Sequence, residues 1–200
     1  MHPAPHKRVG VLALQGAFAV HARVLAELGA LTRDVRTPLD LVDLDALVMP
    51  GGESTTMAKL LDSSGLREPL AKLLDDGLPV FGTCAGMIML ATRVLDGRPD
   101  QWSFGAVDLA VQRNGYGRQV DSFEVELSVA GLDGPPFPAV FIRAPKVVEV
   151  GPAAEVLAMH DDVPVLVRQA NVLVASFHPE LSGDARLHRS FLQRHFLQGV

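Results

Sequence analysis

Residues 79–90 read PVFGTCAGMIML and hold the single cysteine of the 200-residue chain. A short apolar run, LPVFG (78–82), has the length and residue types of a buried strand, and the longer run over 85–95 has helical length. The G-T-C-A-G between them (82–86) has the layout of a strand-to-helix nucleophile elbow, with cysteine in place of serine. Such a turn is tight, so small residues must flank the nucleophile, and Gly82 and Gly86 meet that need. A lone cysteine in an α/β core is ordinarily a small buried apolar residue. The strand, the paired glycines and the helix make Cys84 a candidate nucleophile instead. A helix N-terminus favours negative charge and is expected to lower the thiol pKa from about 8.5.

Outward from the elbow, apolar runs alternate with helical patterns. RVGVLAL (8–14) and LDALVMPGG (44–52) read as strands buried on both faces, the second ending in a turn. AFAVHARVLAELG (17–29), STTMAKLLDSSG (54–65) and LREPLAKLLDDG (66–77) read as helices, the second with Ser or Thr as its N-cap. Beyond residue 100 the pattern changes. Residues 103–113, 120–127, 138–144 and 163–177 look like strands joined by turns, with a bend near QAN (169–171), and an amphipathic helix covers 184–198. The expected fold is an α/β three-layer sandwich, flavodoxin-like. Its sheet is mainly parallel, with a mixed or antiparallel portion in the second half, in one domain over 1–200.

Composition removes several classes of function. Hydrophobic residues make up 48%, enough for a substantial core, yet no stretch of 18 apolar residues suggests a membrane span. The net charge of −5 is interspersed, with no basic stripe to track nucleic acid. One cysteine allows neither a disulfide framework nor a multi-cysteine metal site. MHPAPHKRVG carries no apolar segment of a secretory signal, and a free, useful thiol suits a reducing cytoplasm.

A thiolate needs a base, and there are seven histidines. His2 and His6 lie in a loose N-terminal segment. His21, His188 and His195 fall on predicted helices, where a surface position is the plain expectation, and His160 lies near a turn. His178 differs because it ends the apolar run VLVASF and precedes Pro179 and Glu180. Active sites of parallel α/β sheets lie beyond the carboxyl ends of strands. Glu180 can orient the imidazole as the third group of a triad. PGGEST (50–55) follows another strand; its backbone N–H groups, facing Cys84, can form an oxyanion hole with the N–H of Ala85. It is not a phosphate-binding P-loop, which needs G-x-x-x-x-G-K-[ST].

FGTCAG, PGGEST and SFHPE, in this chain, resemble the motifs of class I, triad-type glutamine amidotransferases. VGVLALQGAFAVH, QRNGYGRQVDSFE and FIRAP narrow the resemblance, from about residue 8 onward, to the glutaminase subunits of pyridoxal 5′-phosphate synthases. The resemblance implies hydrolysis of L-glutamine to glutamate and ammonia through a γ-glutamyl thioester on Cys84, with no cofactor and no metal. It implies that Gly51, Gly52, Glu53, Arg113, Ile142 and Arg143 line the glutamine site. It also implies that Gln15 and Gly16 respond to the partner, a (β/α)8-barrel synthase subunit that receives the ammonia. Three rivals share much of this pattern: a glutaminase feeding another amidotransferase, a flavin-binding flavodoxin-like protein, and a non-catalytic regulatory subunit with a vestigial site, against which the intact Cys84, His178 and Glu180 argue. The second needs a hydroxyl-rich loop after the first strand, where this chain has QGAF.

Overall fold

The computed structural model describes residues 7–113, 115 and 122–196. In chain order it has β1 (Arg8–Leu12), α1 (Phe18–Glu27), β2 (Leu31–Val35), β3 (Ala46–Met49), α2 (Ser54–Ser63) and α3 (Arg67–Asp75). Next come β4 (Val80–Thr83), α4 (Ala85–Leu90), β5 (Ala91–Val94), β6 (Val107–Gln112), β7 (Ser122–Leu127) and β8 (Phe137–Ile142). The last elements are β9 (Lys146–Val150), β10 (Glu155–His160), β11 (Val163–Gln169), β12 (Val172–Ala175) and α5 (Arg186–Phe196).

The central sheet has seven strands in the order β10-β11-β12-β4-β3-β1-β2. Neighbours from β12 through β2 pair in parallel, while β11 and β10 add an antiparallel edge. β5, β6 and β9 form a small second sheet, and β7 pairs with β8 as an antiparallel ribbon. The mainly parallel sheet with an antiparallel supplement is the architecture expected from sequence.

Apolar runs on the central strands fill both faces because side chains alternate along a strand. On β3, Leu47 and Met49 join a core with α2, α3 and α4, while Ala46 and Val48 join a second core with α1 and α5. β4 and β12 divide the same way: Val80 and Val174 enter the first core, Phe81 and Ala175 the second.

Four local features differ from expectation. The helix after Cys84 stops at Leu90, and Ala91–Val94 form β5. AGMIMLATRV is uniformly apolar at first, so periodicity alone does not mark the change; the β-branched pair about Arg93 pairs with β6 instead. The N-cap of α2 is Glu53, not a serine or threonine; its carboxylate accepts from the Thr55 and Thr56 amides. His21 and His188 lie on the expected helices but are fully buried. β2, β9 and β10 are elements that sequence patterning does not assign. β2 and β10 are edge strands with exposed residues, so they lack the continuous apolar signal of the centre. Among the described residues no helix is long and apolar enough to cross a membrane.

Leu47 is fully buried on a central strand, whereas Leu39 is 81% exposed. Leu47→Ala should therefore cost about 2–5 kcal/mol in urea unfolding, and Leu39→Ala less than about 0.5 kcal/mol. Equal effects would contradict the assignment of the core.

Candidate active site

Parallel pairing brings chain-distant motifs to one edge. In the sheet β4 lies between β12 and β3, and β1 lies beyond β3. Thr83 pairs with Ala175 and Gly82 with Met49, so these strands end side by side. Cys84, the segment leading to His178, the PGGEST turn and Gln15 all emerge from those carboxyl ends. The Cys84 amide donates to the Ala175 carbonyl at 2.8 Å, and the His178 amide donates to Val140 on β8 at 2.8 Å.

Cys84 caps α4 with φ 49° and ψ −105°, a conformation that costs a non-glycine residue strain. The flanking glycines allow the elbow to close. A Cβ on Gly82 would sit 2.6 Å from Leu90 Cδ1, and one on Gly86 would run into the Met49 carbonyl. α4 has only six residues, shorter than the sequence suggested, so its dipole is correspondingly small.

The charge partner is His178. Its Nδ1 meets Glu180 Oε1 at 2.8 Å, and Cys84 lies on the other side of the Gly51 backbone contact, close enough to act on the ring electrostatically. Burial alone would lower the ring's pKa. The interactions with Cys84 and Glu180, and their negative charge, overcome that and push it up to about 10. Burial likewise disfavours the Glu180 carboxylate, yet the imidazoles of His178 and His21 hold it far below the usual carboxylate range. Gly51 closes the third side: a Cβ there would lie 2.5 Å from His178 Cε1 and 3.2 Å from Cys84 Cβ. Ala85 opens α4 and is buried beside the thiol, and the Ile142 carbonyl lies 3.9 Å from Cys84 Sγ.

A second polar group is built on Glu53, which follows the Gly51–Gly52 turn. Arg113 donates to Glu53 Oε1 at 2.9 Å and to Gln101 Oε1 at 3.1 Å, and Gln101 donates to Ser54 Oγ at 3.0 Å. Hydrogen bonds from Thr56 and Thr55 keep the Glu53 carboxyl below the usual range, although partial burial opposes them. Gln15 donates to the Glu53 carbonyl at 2.7 Å and accepts from its amide at 3.4 Å. Gly52 has φ +146°, and a Cβ there would meet the Gln15 amide at 2.9 Å. Arg143 follows β8 with φ 42° and an exposed side chain.

Thus Cys84, His178, Glu180, Gly51 and Ala85 meet directly. Gln15, Glu53 and Arg113 meet through hydrogen bonds, and Ile142 approaches through its carbonyl. Gln101 and His21 join the site without a sequence signal. Gln101 lies between elements and carries no motif, and His21 reads as one more polar residue on a helix. His160 and His195 lie apart: His160 packs on Phe123 and Phe141, and His195 on Phe191. His2, His6 and residues 114 and 116–121 of the QRNGYGRQVDSFE motif lie outside the described residues.

A mainly parallel sheet with a strained cysteine where its central strands end is the fold of class I glutamine amidotransferases, and solved structures agree. A crystal structure of a glutamine amidotransferase aligns with a TM-score of 0.87 at 50% identity, covering 92% of this chain and 97% of that one. A chain in the structure of PurLQS from Thermotoga maritima shares the fold at a TM-score of 0.66 and 16% identity, over 94% of this chain and 99% of that one. The chain belongs to the SNO glutamine amidotransferase family, whose model matches residues 11–197. The pyridoxal 5′-phosphate synthase subunit PdxT of Frankia alni is 56% identical over 185 residues, 92% of this chain and 93% of the relative. That of Pelotomaculum thermopropionicum is 54% identical over 188 residues, 94% of each chain.

The raised pKa of His178 has a consequence for stability. A group whose folded value exceeds its unfolded value of 6.5 stabilises fully below that pH. The contribution is lost as pH rises through about 10. Urea unfolding of wild type and His178→Gln across this window should show the wild-type advantage shrinking with pH. A constant difference would mean the ring is not held as a cation.

Proposed function

We infer that this chain is the glutaminase subunit of a pyridoxal 5′-phosphate synthase. It hydrolyses L-glutamine to L-glutamate and ammonia, and the ammonia serves the synthase partner. The observation that carries the catalytic reading is the convergence of Cys84, His178 and Glu180 where β4 and β12 end side by side, with His178 Nδ1 2.8 Å from Glu180 Oε1. Family membership and the names of the curated relatives support the biosynthetic assignment over another amidotransferase complex. A flavin carrier is disfavoured by the same findings.

The chemistry follows from the charges. The Cys84 thiolate attacks the side-chain carbonyl carbon of glutamine. The resulting oxyanion is met by the Ala85 N–H and a peptide N–H of the Gly51–Gly52 turn. His178 donates its proton to the departing nitrogen, and ammonia leaves as the C–N bond breaks. Neutral His178 then takes a proton from water as that water attacks the γ-glutamyl thioester. Glutamate leaves, and the thiolate–imidazolium pair is restored. Arg113, aimed by Glu53 and Gln101, is the candidate for the α-carboxylate of glutamine, with Arg143 beside Ile142 as a second cation.

The synthase partner is proposed to be a (β/α)8-barrel that acts through Gln15 and Gly16. The two-way hydrogen bonding of Gln15 to the Glu53 backbone supports a mechanical link. So does the packing of Gly16 against the Gly51 carbonyl. Pressure on QGAF would turn the Gly51–Gly52 peptide and complete the oxyanion hole. A cytoplasmic setting suits a catalytic free thiol.

Ammonia release by the isolated chain should rise about 10²–10³-fold when the synthase is added, the worth of one oxyanion donor. Cys84→Ala should abolish turnover in both conditions while circular dichroism stays unchanged. Gln15→Ala should retain the fold and lose most of the activation. A Cys84→Ala chain that still turns over glutamine would refute the nucleophile; full activity without the synthase would refute the switch.

A further inference from the structure

Behind the triad, two more histidines are sealed in the core. His21 stands in the first turns of α1, and His188 near the start of α5; both have 0% exposure. His21 Nε2 lies 3.2 Å from Glu180 Oε2, while Glu180 Oε1 is engaged by His178 at 2.8 Å. His21 Nδ1 lies 2.9 Å from His188 Nε2, and the Thr83 hydroxyl lies 3.3 Å from His21 Nε2. Five side chains therefore form one line: Cys84, His178, Glu180, His21, His188. The last two come from α1 and α5.

Mere packing does not account for this arrangement. An imidazole in an apolar core is costly without a partner, and a leucine or phenylalanine would fill the same space. With an apolar residue at 21, however, Glu180 Oε2 would face nothing polar. It is already buried without a hydrogen bond of good geometry, and His21 Nε2 faces it at 3.2 Å as an ion-pair contact. A buried carboxylate satisfied on one oxygen only is poorly stabilised. Its need grows during the reaction. Once His178 gives its proton to the departing nitrogen, Glu180 faces a neutral ring while still ionised and out of water.

We propose that His21, tethered by His188, is a positioning residue of the glutaminase: it holds the second oxygen of Glu180, and through it the orientation and charge of His178. A carboxylate is acceptor-only, so His21 must carry its N–H on Nε2. Its Nδ1 then exchanges a hydrogen bond with His188, which fixes the plane of the His21 ring. Burial, with a smaller contribution from the neighbouring His21 ring, pushes the pKa of His188 down to about 3. His188 is thus a neutral tether at any pH where the enzyme works. The titratable groups facing His21 are Glu180 from the turn after β12 and His188 from α5; Thr83 from β4 and the Phe81 ring against His188 are neutral.

This inference rests on the reading of Cys84, His178 and Glu180 as the triad, so Cys84→Ala is the control. In the complex with the synthase, His21→Leu should lower kcat about 10- to 100-fold, the scale of a small misplacement of a catalytic group. KM for glutamine should change less than about threefold, because ground-state binding is untouched. The acid limb of kcat/KM should move to higher pH, since Glu180 becomes easier to protonate. His21→Gln, which can present an amide N–H where Nε2 stood, should recover most of kcat and the wild-type acid limb.

A folded His21→Leu variant with wild-type kcat and pH profile, beside a dead Cys84→Ala, would overturn the positioning role alone. Turnover in Cys84→Ala would overturn the triad itself. If His21→Leu does not fold, ¹⁵N spectra of the wild-type imidazoles decide. Nε2 of His21 should carry the N–H that faces Glu180 at the pH of the assay, and a bare lone pair there would overturn the proposal.

Discussion

The amide of Cys84 donates to the carbonyl of Ala175 at 2.8 Å, and this bond joins the two strands on which the site depends. β4 and β12 are far apart in the chain but adjacent and parallel in the sheet, with Thr83 beside Ala175. The register decides which residue follows each strand into the cleft. A slip by one residue would turn every side chain of β12 to the opposite face and carry His178 away from the thiol. β12 cannot slip, because Val174 and Ala175 are already committed to opposite cores. Packing on both faces of the sheet thus fixes the geometry of the Cys84, His178 and Glu180 group.

The site also concentrates features that an ordinary core avoids. Cys84 holds a positive φ, Glu180 is a fully buried carboxylate, and the Gly51 backbone approaches the His178 ring too closely for any side chain. Each is tolerable because a neighbour compensates. The Gly82 and Gly86 positions leave room for the strained turn. His178 and His21 stand on either side of the carboxylate. Glu53, placed at the N-terminus of α2, satisfies two amides of that helix and aims Arg113 with the same carboxylate. Removing one member would therefore disturb more than its own contact.

Much of this is legible in the sequence, and the boundary is physical. Strands buried on both faces leave continuous apolar runs, so β1, β3, β4 and β12 can be read directly, as can the elbow between paired glycines. The exposed edges β2 and β10 have no such run, and β5 continues an apolar helix without punctuation. The cap of α2 departs from expectation because serine and threonine are the commoner caps, whereas Glu53 reaches its amides with a longer side chain. His21 and His188 are the clearest loss. Periodicity places them on helices, but their burial depends on α1 and α5 meeting across the same face of the sheet, which no local pattern encodes. Gln101 is hidden for a similar reason: it reaches Arg113 and Ser54 from a connection that has no secondary structure of its own.

The central claim is that adjacent strand ends build one covalent site around Cys84. Rapid acid quenching of the complex during glutamine turnover, followed by peptide mass spectrometry, tests it most directly. The account predicts a γ-glutamyl adduct on the peptide containing Cys84, present at steady state and gone when glutamine is exhausted. Turnover without an acylated Cys84 peptide, in a quench that preserves thioesters, or an adduct on another residue, would contradict it.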